Sequence, residues 1–376
     1  MNLLVKYLVA ALMLCVCVGC GGERATLENS FEQVAYNPEY ARGFRIEADG
    51  RGNRLLRVVR PWQGEAVVEQ TLAIFRDEAS ARGYRGQHIV GAAERVVCMS
   101  TSHIAMLEAL GEVDAVVGVS GKQYVMNERV RLNDKVKDVG YDSSLDFEAM
   151  VMLRADVVLL YGVSAENTAV TAKLRELGIP YIYLGDYTEQ SPLGKAEWLV
   201  AVAEIVGCRE RGEECFEAIV ERYEAEREAV VVDGARPRVM LNIPYQDVWY
   251  MPSDESYMVR LVEDAGGSYI YAGRNTTEGS VGISLEEAYT LVRRADVWLN
   301  VGQCRSLDEL RAAAPAFADM EVVRRGAVYN NNRRQTEAGG SDFWESAIVY
   351  PDKVLRDLRH IFTGSPSELY YFKQLN

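Results

Sequence analysis

The chain has 376 residues, of which 26% are charged, and a formal net charge of −14 at pH 7. An acidic chain of this kind, without a basic cluster, excludes nucleic acid as a partner class. Its length exceeds what one ordinary hydrophobic core needs and predicts two domains.

The first twenty residues predict export and a lipid anchor. One lysine precedes an apolar run from Tyr7 to Val18, and small Gly19 then comes before Cys20. This is the layout of a signal peptide, and its end resembles a bacterial lipobox, although Cys17 stands where leucine is usual. A transmembrane helix is the alternative, but the run holds about a dozen residues and a span needs roughly twenty. We therefore expect residues 1–19 to be removed and Cys20 to carry lipid.

The predicted location is the cell envelope, with the protein anchored to a bacterial membrane and facing the periplasm or the cell exterior. Residues 20–90 are predicted to form a tether and a small β-rich extension. The stretches 44–46 and 55–59 flank a turn-rich segment, which is typical of a β-hairpin. A further strand is predicted from Val67 to Phe75.

From residue 91 onward, short apolar runs alternate with helical periods, which predicts parallel sheets covered on both faces. We expect one α/β lobe over residues 91–190, a helical linker over 191–235 and a second α/β lobe over 236–376. Within the linker, residues 213–232 have an amphipathic helical period and a length of roughly 30 Å. The predicted fold class is thus α/β, with two doubly wound lobes joined by one long backbone helix.

The two lobes also share a repeated unit. Residues 147–159 and 285–299 both read as a helix, then Arg-Ala-Asp, then an apolar strand. Such a repeat predicts two lobes of like topology.

Cysteine and histidine argue against a resident metal site. Cys208 and Cys215 flank a charged stretch, and in an oxidising compartment they are candidates for a short surface disulfide, with two unpaired thiols as the alternative. Cys98 lies in an apolar strand pattern typical of a buried small hydrophobe. The three histidines lack metal-pair spacing. No nucleophile elbow, phosphate loop or paired-carboxylate signature indicates catalysis, so we predict no enzyme activity and no cofactor.

The segment from Arg95 to His103, followed by Leu107–Gly111 and Val116–Ser120, resembles the periplasmic binding proteins of ABC importers for iron-siderophore, haem and cobalamin. The resemblance covers roughly residues 92–362. It implies two lobes joined by a long helix, a ligand in the cleft between them and slight closure on binding. The implied function is capture of a metal chelate, with an iron-siderophore first, a corrinoid second and haem third.

The partners that the resemblance implies are an ABC permease dimer with its ATPase subunits, and the binding protein itself is expected to be a monomer. A chelatase-like or sensory protein on the same fold is the rival from another class. In the family, one glutamate on each lobe docks into an arginine-lined pocket of the permease, and Glu148 and Glu286 match that pattern. With Asp146 and Ser284 as N-caps, both glutamates fall in a first helical turn, and Glu287 falls at the capping-box position. The alternative is that acids are simply common in a first turn.

The cleft is expected at the carboxyl ends of the strands. Aromatic faces and guanidinium groups there suit a large, flat or anionic chelate. His103 is either an axial ligand or a residue that satisfies local backbone groups. The predicted ligand contacts are Ser102, His103, Tyr124, Tyr161, Tyr245, Trp249, Tyr250, Arg274, Arg305, Arg333, Arg334 and Trp344.

Overall fold

The computed structural model describes residues 30–64, 68–141, 144–163, 165–232, 234–275, 279–364 and 368–376. The predicted signal peptide and the lipid attachment at Cys20 lie outside the described residues. Among the helices of the described part, none combines the length and the apolar character needed to cross a membrane.

The N-terminal extension is a five-stranded sheet in the order β1-β2-β3-β4-β5. Its elements are β1 (Gln33–Tyr36), β2 (Phe44–Ala48), β3 (Arg54–Val59), β4 (Glu69–Phe75), α1 (Glu78–Ala81) and β5 (His88–Val90). The predicted hairpin is confirmed, because β2 and β3 pair antiparallel from Phe44 opposite Val58 to Ala48 opposite Arg54. The predicted third strand is β4, and its predicted first residue, Val67, lies outside the described residues.

The N-terminal lobe has a parallel sheet in the order β10-β9-β6-β7-β8. Its elements are β6 (Val96–Cys98), α2 (Thr101–Ala109), β7 (Val116–Val119), α3 (Glu128–Arg131), β8 (Lys137–Asp138), α4 (Phe147–Met152), β9 (Val157–Tyr161), α5 (Thr168–Leu177) and β10 (Tyr181–Leu184). Almost every residue of β6, β9 and β10 is buried, as expected of strands covered on both faces.

Two helices follow: α6 (Pro192–Ile205) and α7 (Arg209–Glu228). Gly207 has a φ of +74°, which a glycine adopts without strain and which lets the chain turn between them. The N-terminal half of α7 reaches the N-terminal lobe, since Arg211 donates to the Leu110 carbonyl oxygen at 2.7 Å. Its C-terminal half reaches the second lobe, where the Tyr223 hydroxyl donates to Asp264 at 2.8 Å. The predicted bridging helix is therefore present, and it starts four residues earlier than expected.

The C-terminal lobe has a sheet in the order β13-β11-β15-β16-β17, with the last pair antiparallel, and a separate antiparallel sheet of two strands, β12 and β14. Its elements are β11 (Arg238–Leu241), β12 (Val248–Met251), α8 (Tyr257–Asp264), β13 (Ser268–Tyr269), β14 (Val281–Ser284), α9 (Leu285–Val292), β15 (Val297–Leu299), α10 (Leu307–Ala313), α11 (Glu321–Arg324), β16 (Val328–Asn330), α12 (Asp342–Glu345), α13 (Pro351–Thr363) and β17 (Lys373–Gln374).

The repeated helix and strand unit occupies the same place in both lobes. Strand β9 lies beside the first strand of its sheet, β6, and β15 lies beside β11. The aspartate of each Arg-Ala-Asp accepts a backbone N–H at the start of that first strand: Asp156 from Arg95 at 2.9 Å and Asp296 from Arg238 at 2.8 Å.

Beyond this unit the prediction of like topology is wrong in detail. Two further strands flank β6 on its other side, whereas one strand flanks β11, and β12 and β14 form a separate two-stranded sheet. The sequence repeat therefore predicts the central pair of strands in each sheet, but not the strands at the sheet edges.

The extension shares a hydrophobic core with the N-terminal lobe. Phe44 lies 4.9 Å, ring centre to ring centre, from Trp198 of α6, and both are buried. The carboxylate of Glu197, fully buried in the same helix, accepts from the Tyr36 hydroxyl and from the backbone N–H groups of residues 39, 40 and 41 at 2.6–2.8 Å. Every donor lies in the extension, so the extension and the lobe form one unit.

Candidate ligand-binding cavity

A cavity of about 570 Å³ opens where the two lobes face each other. On the N-terminal lobe it is lined by residues 187–190, which follow β10, and on the C-terminal lobe by Asn242 after β11 and Asn300 after β15. These positions follow the carboxyl ends of parallel strands, where open α/β sheets bind their ligands. The volume falls in the range of small-molecule sites.

The extension supplies a third wall of the cavity. Arg42 and Gly43 come just before β2, and the segment from Val59 to Gly64 comes at the end of β3 and after it. This wall was not predicted from the sequence.

Glu189 fixes the backbone of this wall. Its carboxylate accepts from the backbone N–H groups of Arg42 at 3.0 Å and Gly43 at 2.9 Å, and from the Trp198 indole N–H at 2.9 Å. Burial raises the pKa of this carboxyl group, although the three donors oppose that shift. Because its carboxylate already accepts these hydrogen bonds, Glu189 has a structural role.

The segment after β3 is held against the N-terminal lobe. The Trp62 ring meets Tyr183 edge to face at 5.2 Å, and the Gln63 N–H donates to the Val163 carbonyl oxygen at 3.1 Å. The Thr188 hydroxyl donates to the Gly185 carbonyl oxygen at 2.8 Å and lies 3.4 Å from the Arg60 carbonyl oxygen. The indole of Trp62 is half-buried, so part of it faces the cavity.

Two asparagines line the cavity on the side of the C-terminal lobe. Asn242 and Asn300 have φ values of +68° and +60°, a left-handed conformation that asparagine tolerates better than most residues. The Asn242 amide donates to the Tyr250 carbonyl oxygen at 3.1 Å. The Asn300 side-chain oxygen is buried without a hydrogen-bond partner, so it is available to a donor on a ligand.

Aromatic faces complete the lining. Tyr187, Tyr257 and Trp344 border the cavity together with Trp62. The Lys195 ammonium lies 4.7 Å from the centre of the Tyr257 ring and donates to the Asp186 carbonyl oxygen at 3.0 Å. Burial lowers the pKa of Lys195 and raises the pKa of Tyr257.

Of the predicted ligand contacts, Trp344 lines this cavity and is 60% exposed. Tyr124, Tyr161, Tyr245 and Tyr250 are exposed at 38–68% but do not line it.

The four predicted arginines lie elsewhere. Arg274 pairs with Glu287, Arg333 with Glu368, and Arg334 with Asp342, and the last of these arginines also lies over the Tyr370 ring. Arg305 is exposed and its backbone N–H donates to Glu309. These four guanidinium groups do not line the cavity.

Two of the predicted contacts belong to the hydrophobic core, which corrects the prediction. Trp249 is fully buried in β12, packs against Trp298 and donates to the Leu241 carbonyl oxygen at 2.9 Å. Its position was recoverable, since Trp249 and Met251 are buried while Tyr250 between them is exposed, the alternation of a strand with one covered face.

His103 is the second such correction. It is fully buried in α2, and burial lowers its pKa to about 4, so the imidazole is neutral and closed off from the cavity. Its neighbour Ser102 is also buried, and its hydroxyl contacts that of Ser100, the N-cap of α2. Within the described residues, no group of three or more His, Cys, Asp or Glu side chains is placed to hold a metal ion.

The disulfide between Cys208 and Cys215 is not formed, and both thiols are free. Cys208 caps α7 and Cys215 lies two turns into it. Seven residues of helix span about 10 Å, whereas the Cα atoms of a disulfide lie within roughly 7 Å. The Cys215 thiol instead contacts the Ala109 carbonyl oxygen at 3.6 Å.

Glu148 and Glu286 are exposed in the first turns of α4 and α9. The predicted N-caps are present: Asp146 accepts from the Ala149 N–H at 2.8 Å and Ser284 from the Glu287 N–H at 3.2 Å. Hydrogen bonds from its own backbone N–H and from Ser284 lower the pKa of Glu286. Glu287 lies at the predicted capping-box position, three residues after the N-cap, and its carboxylate pairs with Arg274.

The lobes also touch directly beside the cavity. Glu345 of α12 accepts from the backbone N–H groups of Met126 and Asn127 in the N-terminal lobe, each at 2.7 Å. Gly340 lies against the Tyr124 backbone, and a Cβ atom at Gly340 would come within 1.9 Å of the Tyr124 carbonyl oxygen. Only glycine fits this approach.

Two α/β lobes, a bridging helix and a cavity at the facing strand ends define a bilobed binding protein. The family model of the periplasmic binding proteins matches residues 96–332, and the chain belongs to that family. Residues 30–90 lie outside the match.

Three similar proteins illustrate the relationship. An uncharacterized lipoprotein of Methanocaldococcus jannaschii is 25% identical over 281 residues, covering 71% of this chain and 64% of that protein. A cobalamin-binding protein of Halobacterium salinarum is 31% identical over 238 residues, covering 63% of this chain and 61% of that protein. The apo structure of a periplasmic heme-binding protein from Roseiflexus sp. RS-1 superposes with a TM-score of 0.57 at 21% identity, covering 73% of this chain and 99% of that one. The chain thus spans less than two thirds of the two curated relatives.

Proposed function

We propose that this protein is the substrate-binding lipoprotein of an ABC importer, that it captures a metal chelate in the interlobe cavity, and that it delivers the chelate to the permease. The observation that carries the proposal is the cavity itself, which both lobes line at the carboxyl ends of their strands. Helix α7 contacts both lobes and limits how far they can move apart. Binding is therefore expected to need little closure.

The aromatic lining supports a ligand with extended flat surfaces. Trp62, Tyr187, Tyr257 and Trp344 present rings that can stack on a macrocycle or on the aromatic arms of a chelator. A relative named as a cobalamin-binding protein favours a corrinoid as the first ligand to test. Iron-siderophore complexes, which the sequence placed first, and haem follow it.

Delivery is assigned to Glu148 and Glu286. Each is an exposed carboxylate at a helix start, one on each lobe. Charges of this kind facing arginine pockets on a partner steer encounter and fix orientation.

The lipid on Cys20 keeps the protein near the permease, and replacing Cys20 by Ala should abolish incorporation of labelled palmitate and release the protein from membranes.

The ligand is tested by calorimetric titration of the full-length protein in detergent with cyanocobalamin, ferrichrome and hemin. We expect one of these probes to bind with one-to-one stoichiometry. Trp344→Ala should weaken that binding about ten-fold, because a stacked aromatic anchor in a desolvated pocket contributes on the order of 1–2 kcal/mol. Tyr245→Ala is the matched control, since Tyr245 is 68% exposed and outside the cavity. The proposal fails if no probe binds, or if Tyr245→Ala weakens binding as much as Trp344→Ala.

A further inference from the structure

We infer that the N-terminal extension selects the ligand of the cavity, and that Trp62 is the surface on which a planar chelate stacks on the side of the N-terminal lobe. The inference rests on the proposed function and specifies the chemical class of its ligand. That class is a chelate with a conjugated planar face, such as a tetrapyrrole or a chelator with aromatic arms, and it leaves out purely aliphatic chelates.

The two lobes contribute to the cavity in different ways. On the C-terminal lobe, Asn242 and Asn300 follow β11 and β15 directly, and both line the cavity. Of the described residues from 96 to 184, which include all strands of the N-terminal sheet, none lines it. Trp62 and its neighbours in the extension line it instead. The extension therefore takes the place that the strand ends of the N-terminal lobe would have as a ligand-binding edge.

The segment around Trp62 lies directly on the ends of β9 and β10. Gly162 follows β9, and a Cβ atom there would come within 3.1 Å of the Trp62 ring. Gly185 follows β10, and a Cβ atom there would come within 3.3 Å of the Pro61 Cα atom. Because both strands end in a glycine, the extension can pack against the backbone of the lobe at this close distance.

The Trp62 ring is held in place while part of it faces the cavity. It meets the Tyr183 ring edge to face at 5.2 Å, and the tryptophan is half-buried. An aromatic ring that is already positioned loses little conformational freedom when a ligand stacks on it. Trp62 is therefore preorganised for binding.

The C-terminal lobe provides the matching aromatic groups. Tyr257 and Trp344 line the same cavity as Trp62. A planar conjugated ligand is the class that can stack on rings from both sides of the cavity. The family match begins at residue 96, so the two lobes that the family shares do not supply the ring of Trp62.

The test is calorimetric titration of full-length variants in detergent with cyanocobalamin, hemin and ferrichrome, the last being an aliphatic hydroxamate chelate. The wild-type protein should bind one of the two planar probes more tightly than ferrichrome. Trp62→Leu keeps an apolar side chain but removes the flat face, and it should weaken binding of the planar probe about 10-fold. Trp62→Phe keeps a smaller ring and should weaken binding about three-fold. Binding of ferrichrome should change little in either variant.

Phe31→Leu is the matched control. Phe31 is a buried aromatic residue of the extension that packs against Phe75 and does not line the cavity. Its replacement should lower the melting temperature without changing the affinity for the planar probe. If Trp62→Leu does not fold, the loss of affinity in Trp62→Phe decides.

The inference is overturned, while chelate binding stands, by any of three results. The Trp62 variants that fold could bind the planar probe as the wild type does, Phe31→Leu could weaken that binding equally, or the wild type could prefer ferrichrome. If the wild-type protein binds none of the three probes, the proposed function is overturned, and the inference with it.

Discussion

The joint between the extension and the N-terminal lobe and the joint between the two lobes each contain a buried glutamate, and the two differ in how fully they are satisfied. Glu197 accepts four hydrogen bonds, two on each oxygen. Glu345 accepts two, one on each oxygen, and burial raises its pKa to about 7. Glu197 therefore makes the firmer contact, because all four donors have its carboxylate as their acceptor. Glu345 is present in both its charged and its neutral form near neutral pH. The contact between the lobes is therefore the one whose strength changes with pH.

The largest expected effect comes from removing Glu197. Glu197→Ala leaves one hydroxyl and three backbone N–H groups without an acceptor in a buried place, which should lower the free energy of unfolding by about 3–5 kcal/mol. Urea unfolding followed by circular dichroism measures it. Glu217→Ala, at an exposed position of α7, is the control. Equal losses in the two variants would show that Glu197 does not hold the extension.

An intermediate effect is expected at Glu345, and it depends on pH. The pKa in the folded state, about 7, lies above the ordinary value of 4.5. The folded protein therefore holds this proton more tightly than the unfolded chain does. The stability that the neutral group contributes is complete below about pH 4.5 and is lost as the pH rises through 7.

This dependence is measured as the difference in unfolding free energy between the wild type and Glu345→Gln at pH 5, 6, 7 and 8. Glutamine does not titrate, and other buried carboxyl groups are common to both proteins. The advantage of the wild type should shrink by about 2.5 kcal/mol over this range. A difference that stays constant with pH, or grows as the pH rises, would contradict the assigned direction.

The smallest effect on folding is expected for Glu148 and Glu286, which take part in neither joint. Changing both to Ala should leave the melting temperature and the ligand affinity nearly unchanged, since both side chains are exposed. Uptake in whole cells, or ligand-dependent stimulation of the permease ATPase, should be lost. Glu287→Ala is the control on the same helix turn. Normal uptake by the double variant would remove these residues from the docking surface.

Local patterns in the sequence were sufficient for most of the fold. The turn-rich centre of the β2-β3 hairpin, the amphipathic period of α7 and the Arg-Ala-Asp repeat each depend on neighbouring residues, and the structure confirms all three elements. The predicted disulfide between Cys208 and Cys215 shows where a local pattern fails. The two cysteines are close in sequence, but a helix begins between them and holds them apart in space.

The cavity could not be derived in the same way. Arg42 reaches it because Glu189, 147 residues later, holds its backbone, and no local pattern encodes a contact over that distance. Composition also does not distinguish a tryptophan that stacks on a ligand from one that fills a core. Trp344 and Trp249 both follow polar turns, yet one is 60% exposed and the other is fully buried.

The long separation between Glu197 and the strands that it holds has a consequence for biogenesis. Tyr36 and Glu197 are 161 residues apart, so the first sheet is complete in sequence before its acceptor on α6 has been synthesised. Contacts this distant in sequence form slowly. During that interval the Tyr36 hydroxyl and the N–H groups of residues 39, 40 and 41 lack the carboxylate that accepts from them in the folded protein. The contact between the extension and the N-terminal lobe can therefore form only after α6 has been synthesised.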